Sequence, residues 1–307
     1  QHLELIEQTG QQPPTMAAPP AGVERFCERF REAPACLTPN ERQQAFINAT
    51  DRAIVPLQGP PGTGKTRGAI APAVLGRAFA HAEQSTPFVG FVVAPSHEAV
   101  DAALEGVVAT LAEWRHTETG LSTLELLRVQ PSSPPDETAR VDADTAAVEV
   151  TYCNYHDSED AATLSQITEE TTGEATGSDA SPGQYLLFMT PTTLYQTLGT
   201  MAESVTAIDG TSAPAAMRHE QGIADVLCVD EASMLDVPAL LLAGSALKPS
   251  GQTLLIGDHR QLATITAVDW QETLRRSVTD ADAHRSALDY VRRLVGTAPQ
   301  ASCADRA

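Results

Sequence analysis

Between Gly59 and Thr66 the chain reads GPPGTGKT, a spacing suited to holding phosphate. Glycines at 62 and 64 let backbone N–H groups turn toward an anion with no side chain in the way. An apolar run, Ala53 to Leu57, precedes the loop, and a helical pattern from Lys65 to about His81 follows it. The loop therefore feeds into a helix N-terminus, whose dipole adds positive potential. In that setting Lys65 reaches the β- and γ-phosphates of ATP and Thr66 binds Mg²⁺. Gly59, Pro60, Pro61, Gly62, Thr63 and Gly64 complete the cradle.

Hydrolysis of a bound triphosphate needs a carboxylate for the metal and a second group for the attacking water. Val226 to Val229 is an apolar strand that ends in the pair Asp230 and Glu231. Asp230 is expected to hold Mg²⁺, directly or through water, and Glu231 to orient or deprotonate the nucleophile. A further strand, Thr253 to Ile256, ends in the polar run GDHRQL, Gly257 to Leu262. There Gln261 can contact the γ-phosphate or its water, and Asp258 or Arg260 can relay the nucleotide state. The expected catalytic residues are thus Lys65, Glu231 and Gln261.

These motifs need a common edge, and the pattern around them supplies one. Apolar strands at Ala53 to Leu57, Phe88 to Ala94, Leu126 to Val129, Tyr185 to Met189, Asp225 to Val229 and Thr253 to Ile256 are separated by helical or long connections. Such alternation predicts an α/β fold, a mostly parallel sheet with helices on both faces and ligands at the carboxyl ends of its strands. Residues 1–36 read as a lead-in with a short helix from Val23 to Arg31. Thr38 is then expected to cap a second helix, with Pro39 in its first turn and Glu41 three residues after the cap, running to about Ala49. Residues 131–184, rich in Ser, Thr, Asp, Glu and Gly, read as an insertion, either a surface loop or a small subdomain.

Composition narrows the function classes. Forty acidic residues stand against twenty basic ones, of which only Lys65 and Lys248 are lysines, and the net charge is −20. The acid is dispersed instead of forming a block, which reads as adaptation to a salt-rich cytoplasm and not as a partner-binding tail. At about 1 M salt the Debye length is about 3 Å, so this charge does not exclude contact with nucleic acid. No apolar run approaches the roughly 18 residues of a membrane span, and the start has no signal-peptide pattern, so a soluble cytoplasmic protein is expected. The five cysteines, Cys27, Cys36, Cys153, Cys228 and Cys303, lack metal-ligand or disulfide-framework spacing.

In this order, GPPGTGKT, DEAS at 230 to 233 and GDHRQL at 257 to 262 resemble motifs I, II and III of superfamily-one helicases, specifically the 5′→3′ branch that contains RNA-surveillance and Okazaki-fragment-processing enzymes. The resemblance implies a RecA-like ATPase domain over residues 37–266. It also implies that Val93 to His97 is motif Ia and Met189 to Thr193 motif Ic, with Ser96, Thr190 and Thr192 touching the backbone of single-stranded DNA or RNA. Leu37 to Ala45 becomes the adenine-sensing Q motif, with Gln43 favoured over Glu41 and Gln44. Ala263 and Thr264 stand where two prolines are common in the family.

The likeness spans one motor domain. Motifs IV to VI, which the second RecA-like domain carries in this family, have no counterpart, and residues 267–307 read as a tail leading to that absent half. Together with a first residue that is Gln, this suggests a chain that is truncated, split or processed. Such a chain is expected to bind ATP and hydrolyse it slowly, since an arginine finger contributes roughly 10³ to 10⁵ in rate in related systems. Two rival expectations are a P-loop ATPase that switches protein partners and a non-catalytic nucleotide-binding remnant.

Overall fold

The computed structural model describes residues 11, 18–32, 38–60, 62–117, 120–132, 148–172, 182–203, 222–258 and 285–296. Seven strands form one sheet: β1 (Ile54–Gln58), β2 (Phe88–Val93), β3 (Leu124–Gln130), β4 (Val150–Asn154), β5 (Gln184–Met189), β6 (Ala224–Val229) and β7 (Leu247–Gly257). Their spatial order is β1-β7-β6-β2-β5-β3-β4 and every pairing is parallel. Every residue of β2, β5 and β6 is buried. That is why these strands read as continuous apolar runs: a parallel sheet is covered on both faces, so period-two alternation is lost.

The helices divide between the two faces. One core joins sheet residues such as Leu57, Phe188, Cys228 and Ile256 to α1 (Pro20–Glu32), α2 (Glu41–Asn48), α3 (Ala71–Glu83) and α4 (His97–Thr117). The other joins Phe91, Leu187, Val229 and Leu255 to α5 (Ser158–Thr172), α6 (Pro191–Glu203), α7 (Val237–Gly244) and α8 (Ala287–Leu294). A wide π-type turn, Thr66–Ile70, joins the phosphate-loop motif to α3.

Three sequence expectations change. The lead-in helix begins at Pro20 and belongs to the core: Phe26 packs 4.6 Å from Trp114 and 5.9 Å from Phe79, ring centre to ring centre. The cap of α2 is Asn40, not Thr38, and Pro39 lies before the helix. Asn40 Oδ1 accepts from the Gln43 backbone N–H at 3.0 Å while Gln43 Oε1 accepts from the Asn40 N–H at 2.9 Å, a reciprocal pair that Thr38 with Glu41 does not form. Within the stretch read as an insertion, β4 extends the sheet beside β3 and α5 packs on α6. Its strand signal is weak because an edge strand is only partly buried, in the pattern intermediate, exposed, intermediate, buried, intermediate.

Candidate active site

The loop after β1 carries positive φ at Gly62 (73°) and Gly64 (71°), where an added Cβ would meet no atom of the described residues within 4 Å. Glycine is required there for backbone conformation and not for space. Thr63 Oγ1 donates to the Pro60 carbonyl at 2.8 Å, closing the loop on itself. Lys65 opens the turn without a side-chain cap, and the start of a helix is a favourable place for an anion. Pro61 lies outside the described residues.

Lys65 Nζ lies 3.1 Å from Glu231 Oε1. The acidic pair is held at the end of β6 by both neighbouring strands. The Asp230 N–H donates to the Val93 carbonyl of β2 at 2.8 Å, and the Ala232 N–H donates to the Ile256 carbonyl of β7 at 2.9 Å. Between them Glu231 adopts φ 46°, a left-handed conformation that costs an L-residue about 1–2 kcal/mol. The Glu231 N–H bonds to Asp230 Oδ1 at 2.8 Å, and Glu231 Oε2 is buried with no hydrogen-bond partner among the described residues.

Burial pushes the Asp230 carboxyl up to about 6, against its hydrogen bond from the Glu231 N–H; the Glu231 charge adds to the rise and Lys65 opposes it. A hydroxyl at Thr66 and a desolvated carboxylate at Asp230 are hard-oxygen donors of the type that Mg²⁺ takes, and a divalent cation would add counter-charge beside the buried carboxylate. The residues present fit that ion.

Two further positions shape this site, and the motif did not disclose them. An added Cβ on Gly106 of α4 would sit 2.4 Å from Thr66 Cγ2, and one on Gly68 would sit 2.9 Å from Gln43 Nε2. Their signal in the sequence is a glycine inside an otherwise helical pattern, which points to close packing. Gln43 Nε2 donates to the Thr63 carbonyl at 3.2 Å, whereas Gln44 reaches Asn48 on the exposed side at 3.1 Å. Gln43 is therefore the glutamine that touches the phosphate loop. Asp258 is buried at the end of β7, and His259, Arg260 and Gln261 lie outside the described residues.

Farther along the same carboxyl edge is a groove of about 460 Å³ lined by Pro95–Glu98, Thr190–Thr192, Met234–Asp236 and Ala239. It gathers Ser96, Thr190 and Thr192, the three residues expected to touch a strand. Ser96 Oγ accepts from the Ala99 N–H at 3.2 Å and so caps α4, and Thr190 Oγ1 accepts from the Thr193 N–H at 3.3 Å and caps α6. Asp236 caps α7 through the Ala239 N–H at 2.8 Å. Three helix amino ends therefore converge on this groove, bringing positive dipole ends to a face of a strongly acidic chain.

A parallel α/β sheet with a glycine-rich loop, its lysine and an acidic pair on one edge defines a helicase-like P-loop NTPase domain of the RecA-like fold. Residues 42–267 match the family described as AAA domain, and the chain belongs to that family. Over 63 residues it is 41% identical to the RecBCD enzyme subunit RecD of Haemophilus influenzae. That match covers 20% of this chain and 10% of that protein, so the chain spans only a small part of the relative's length. Among the described residues, no helix is long and apolar enough to cross a membrane.

Proposed function

We propose that this chain is the first motor domain of an ATP-dependent superfamily-one helicase of the 5′→3′ branch, one that moves on single-stranded DNA or RNA. One observation carries the reading: the Lys65–Glu231 pair and the groove of Ser96, Thr190 and Thr192 share the carboxyl edge of one sheet. A phosphate-handling site and a face with three converging helix amino ends thus stand where a change at one can be felt at the other.

In this reading the loop from Gly59 to Gly64 and the N–H groups before α3 bind the phosphates of ATP, and Lys65 neutralises the β- and γ-oxygens. Thr66 and Asp230 hold Mg²⁺, which when bound neutralises charge on the phosphates. Glu231 orients or deprotonates the attacking water, with Gln261 beside the γ-phosphate. Gln43 reads adenine and, through its bond to the Thr63 carbonyl, couples that recognition to the loop. Ser96, Thr190 and Thr192 hold strand phosphates without reading bases. A second RecA-like domain or chain completes the cleft and supplies the arginines that speed hydrolysis. Similarity to a subunit of a larger enzyme supports a motor that works with a partner. The dispersed acid fits work in a salt-rich cytoplasm.

The test is ATP hydrolysis in molar KCl, with and without single-stranded DNA and RNA. Strand-stimulated turnover that is lost in both Lys65→Ala and Glu231→Gln is expected. Turnover indifferent to either strand would sink the motor reading in favour of a protein-partner switch.

A further inference from the structure

Arg128 belongs to none of the motifs, yet its side chain is 1% exposed and joins β3 to α4 beside the groove. From β3 its Nε donates to Asp101 Oδ1 of α4 at 2.6 Å and its Nη1 to the Val129 carbonyl at 2.9 Å. Its Nη2 lies 3.1 Å from His97 Nδ1 at the amino end of α4. A guanidinium has no acceptor lone pair, so the hydrogen bond has one polarity: His97 Nδ1 accepts. A neutral imidazole whose Nδ1 accepts carries its proton on Nε2.

We propose that Arg128 is a positioning residue that locks His97 into the Nε2–H tautomer, so that the imidazole offers an N–H donor to a backbone phosphate of a single strand lying in the groove. This rests on the strand-binding reading of that groove. His97 is exposed and lines the groove between Ser96 and Glu98. The hydroxyl oxygens of Ser96 and Thr190 accept N–H groups as helix caps, and the imidazole beside them is fixed from behind by Arg128. With carboxylates of Glu98 and Asp236 also on the rim, a donor of fixed direction selects where phosphate sits and where it does not.

The experiment measures binding of fluorescein-labelled oligothymidylate and oligouridylate to the full chain by anisotropy, together with ¹⁵N-edited imidazole spectra. The spectra are expected to show an unprotonated Nδ1 and a protonated Nε2 for His97, and a mixture of tautomers in Arg128→Met. His97→Ala is expected to weaken both oligonucleotides roughly tenfold or more, the loss of one charge-assisted hydrogen bond. His97→Gln, whose amide N–H falls near the Nε2 position, recovers part of it. Arg128→Met weakens binding in the native background and adds nothing to His97→Ala, which a merely structural arginine would not do. If Arg128→Met fails to fold, Arg128→Lys keeps the buried charge but cannot span Asp101 and His97 together, and it carries the same test. Native binding by His97→Ala, or additive losses in the double variant, overturns the proposal alone. If the unaltered chain binds neither oligonucleotide, the motor reading fails and the proposal falls with it.

Discussion

Lys65 Nζ and Glu231 Oε1 stand 3.1 Å apart, although 166 positions separate them in the chain. In the proposed reading, the ammonium assigned to phosphate is thus paired with the carboxylate assigned to the attacking water. A nucleotide phosphate that draws Lys65 to itself would part them. Glu231→Gln therefore frees Lys65 and is expected to bind ATP about fivefold tighter while losing turnover; a part-exposed ion pair is worth about 1 kcal/mol. Lys65→Ala is expected to lose nucleotide binding. Isothermal titration with a slowly hydrolysed ATP analogue checks both, and weaker binding by Glu231→Gln would show that the pair does not compete with nucleotide.

Asp230 sets a pH dependence. Its folded-state value of about 6 exceeds the ordinary carboxylate value near 3.9, so the folded form holds its proton more tightly than the unfolded chain. Stability from this group is present in full below about pH 4, is lost as pH rises to about 6, and stays lost above it, a cost on the order of 3 kcal/mol. Asp230→Asn should then melt higher than the native chain at pH 7.5 (about neutral conditions), with the gap closing toward pH 4. A gap that does not depend on pH would refute the assignment.

Gly106 is expected to matter for nucleotide binding without touching nucleotide. Gly106→Ala places a methyl 2.4 Å from Thr66 Cγ2 and turns the Thr66 hydroxyl off its line, so Mg²⁺-dependent nucleotide affinity falls several-fold. Gly199→Ala is the control: none of the described residues lies within 4 Å of the added Cβ, and the helix gains about 0.5–1 kcal/mol with nucleotide affinity unchanged. Calorimetric melts and nucleotide titrations of the two variants separate the effects.

Arg77 is fully buried, and its guanidinium donates to neutral groups. It bonds to the carbonyls of Ile47, Ala49 and Ala73 and, at 2.7 Å, to Gln252 Oε1. Burial lowers its pKa to about 10. It ties the end of α2, which carries Gln43, to α3 and β7. Arg77→Lys cannot reach all three elements and is expected to cost about 2–4 kcal/mol in urea unfolding. A loss under 1 kcal/mol (the range of an ordinary surface change) would show that the carbonyls find other donors.

A net charge of −20 opposes compaction when unscreened. The melting temperature is expected to climb steadily from dilute buffer to molar KCl. A flat salt response would remove the salt-adaptation reading.

Local chemistry carried the site motifs into the sequence. GPPGTGKT fits because glycine takes the positive φ found at 62 and 64 without the cost an L side chain meets there, and DE after VLCV fits because an apolar strand must end at the sheet edge. The strand count was less legible. β4 is an edge strand with few buried residues, and without its neighbours its short sequence VTYCN has no period to read. The cap of α2 was misplaced for a related reason: Thr38 and Asn40 both suit a cap, and the choice lies in where Gln43 must point to meet Thr63.

By itself the sequence determined the α/β class, the phosphate loop and the identity of the acidic pair, all of which depend on neighbours within a few residues. Only the tertiary structure decided that Glu231 meets Lys65, that Gly106 presses on Thr66, and that Arg128 aims His97. Those contacts link residues on different strands and helices, and their direction is set by sheet order and helix packing, which no local spacing encodes.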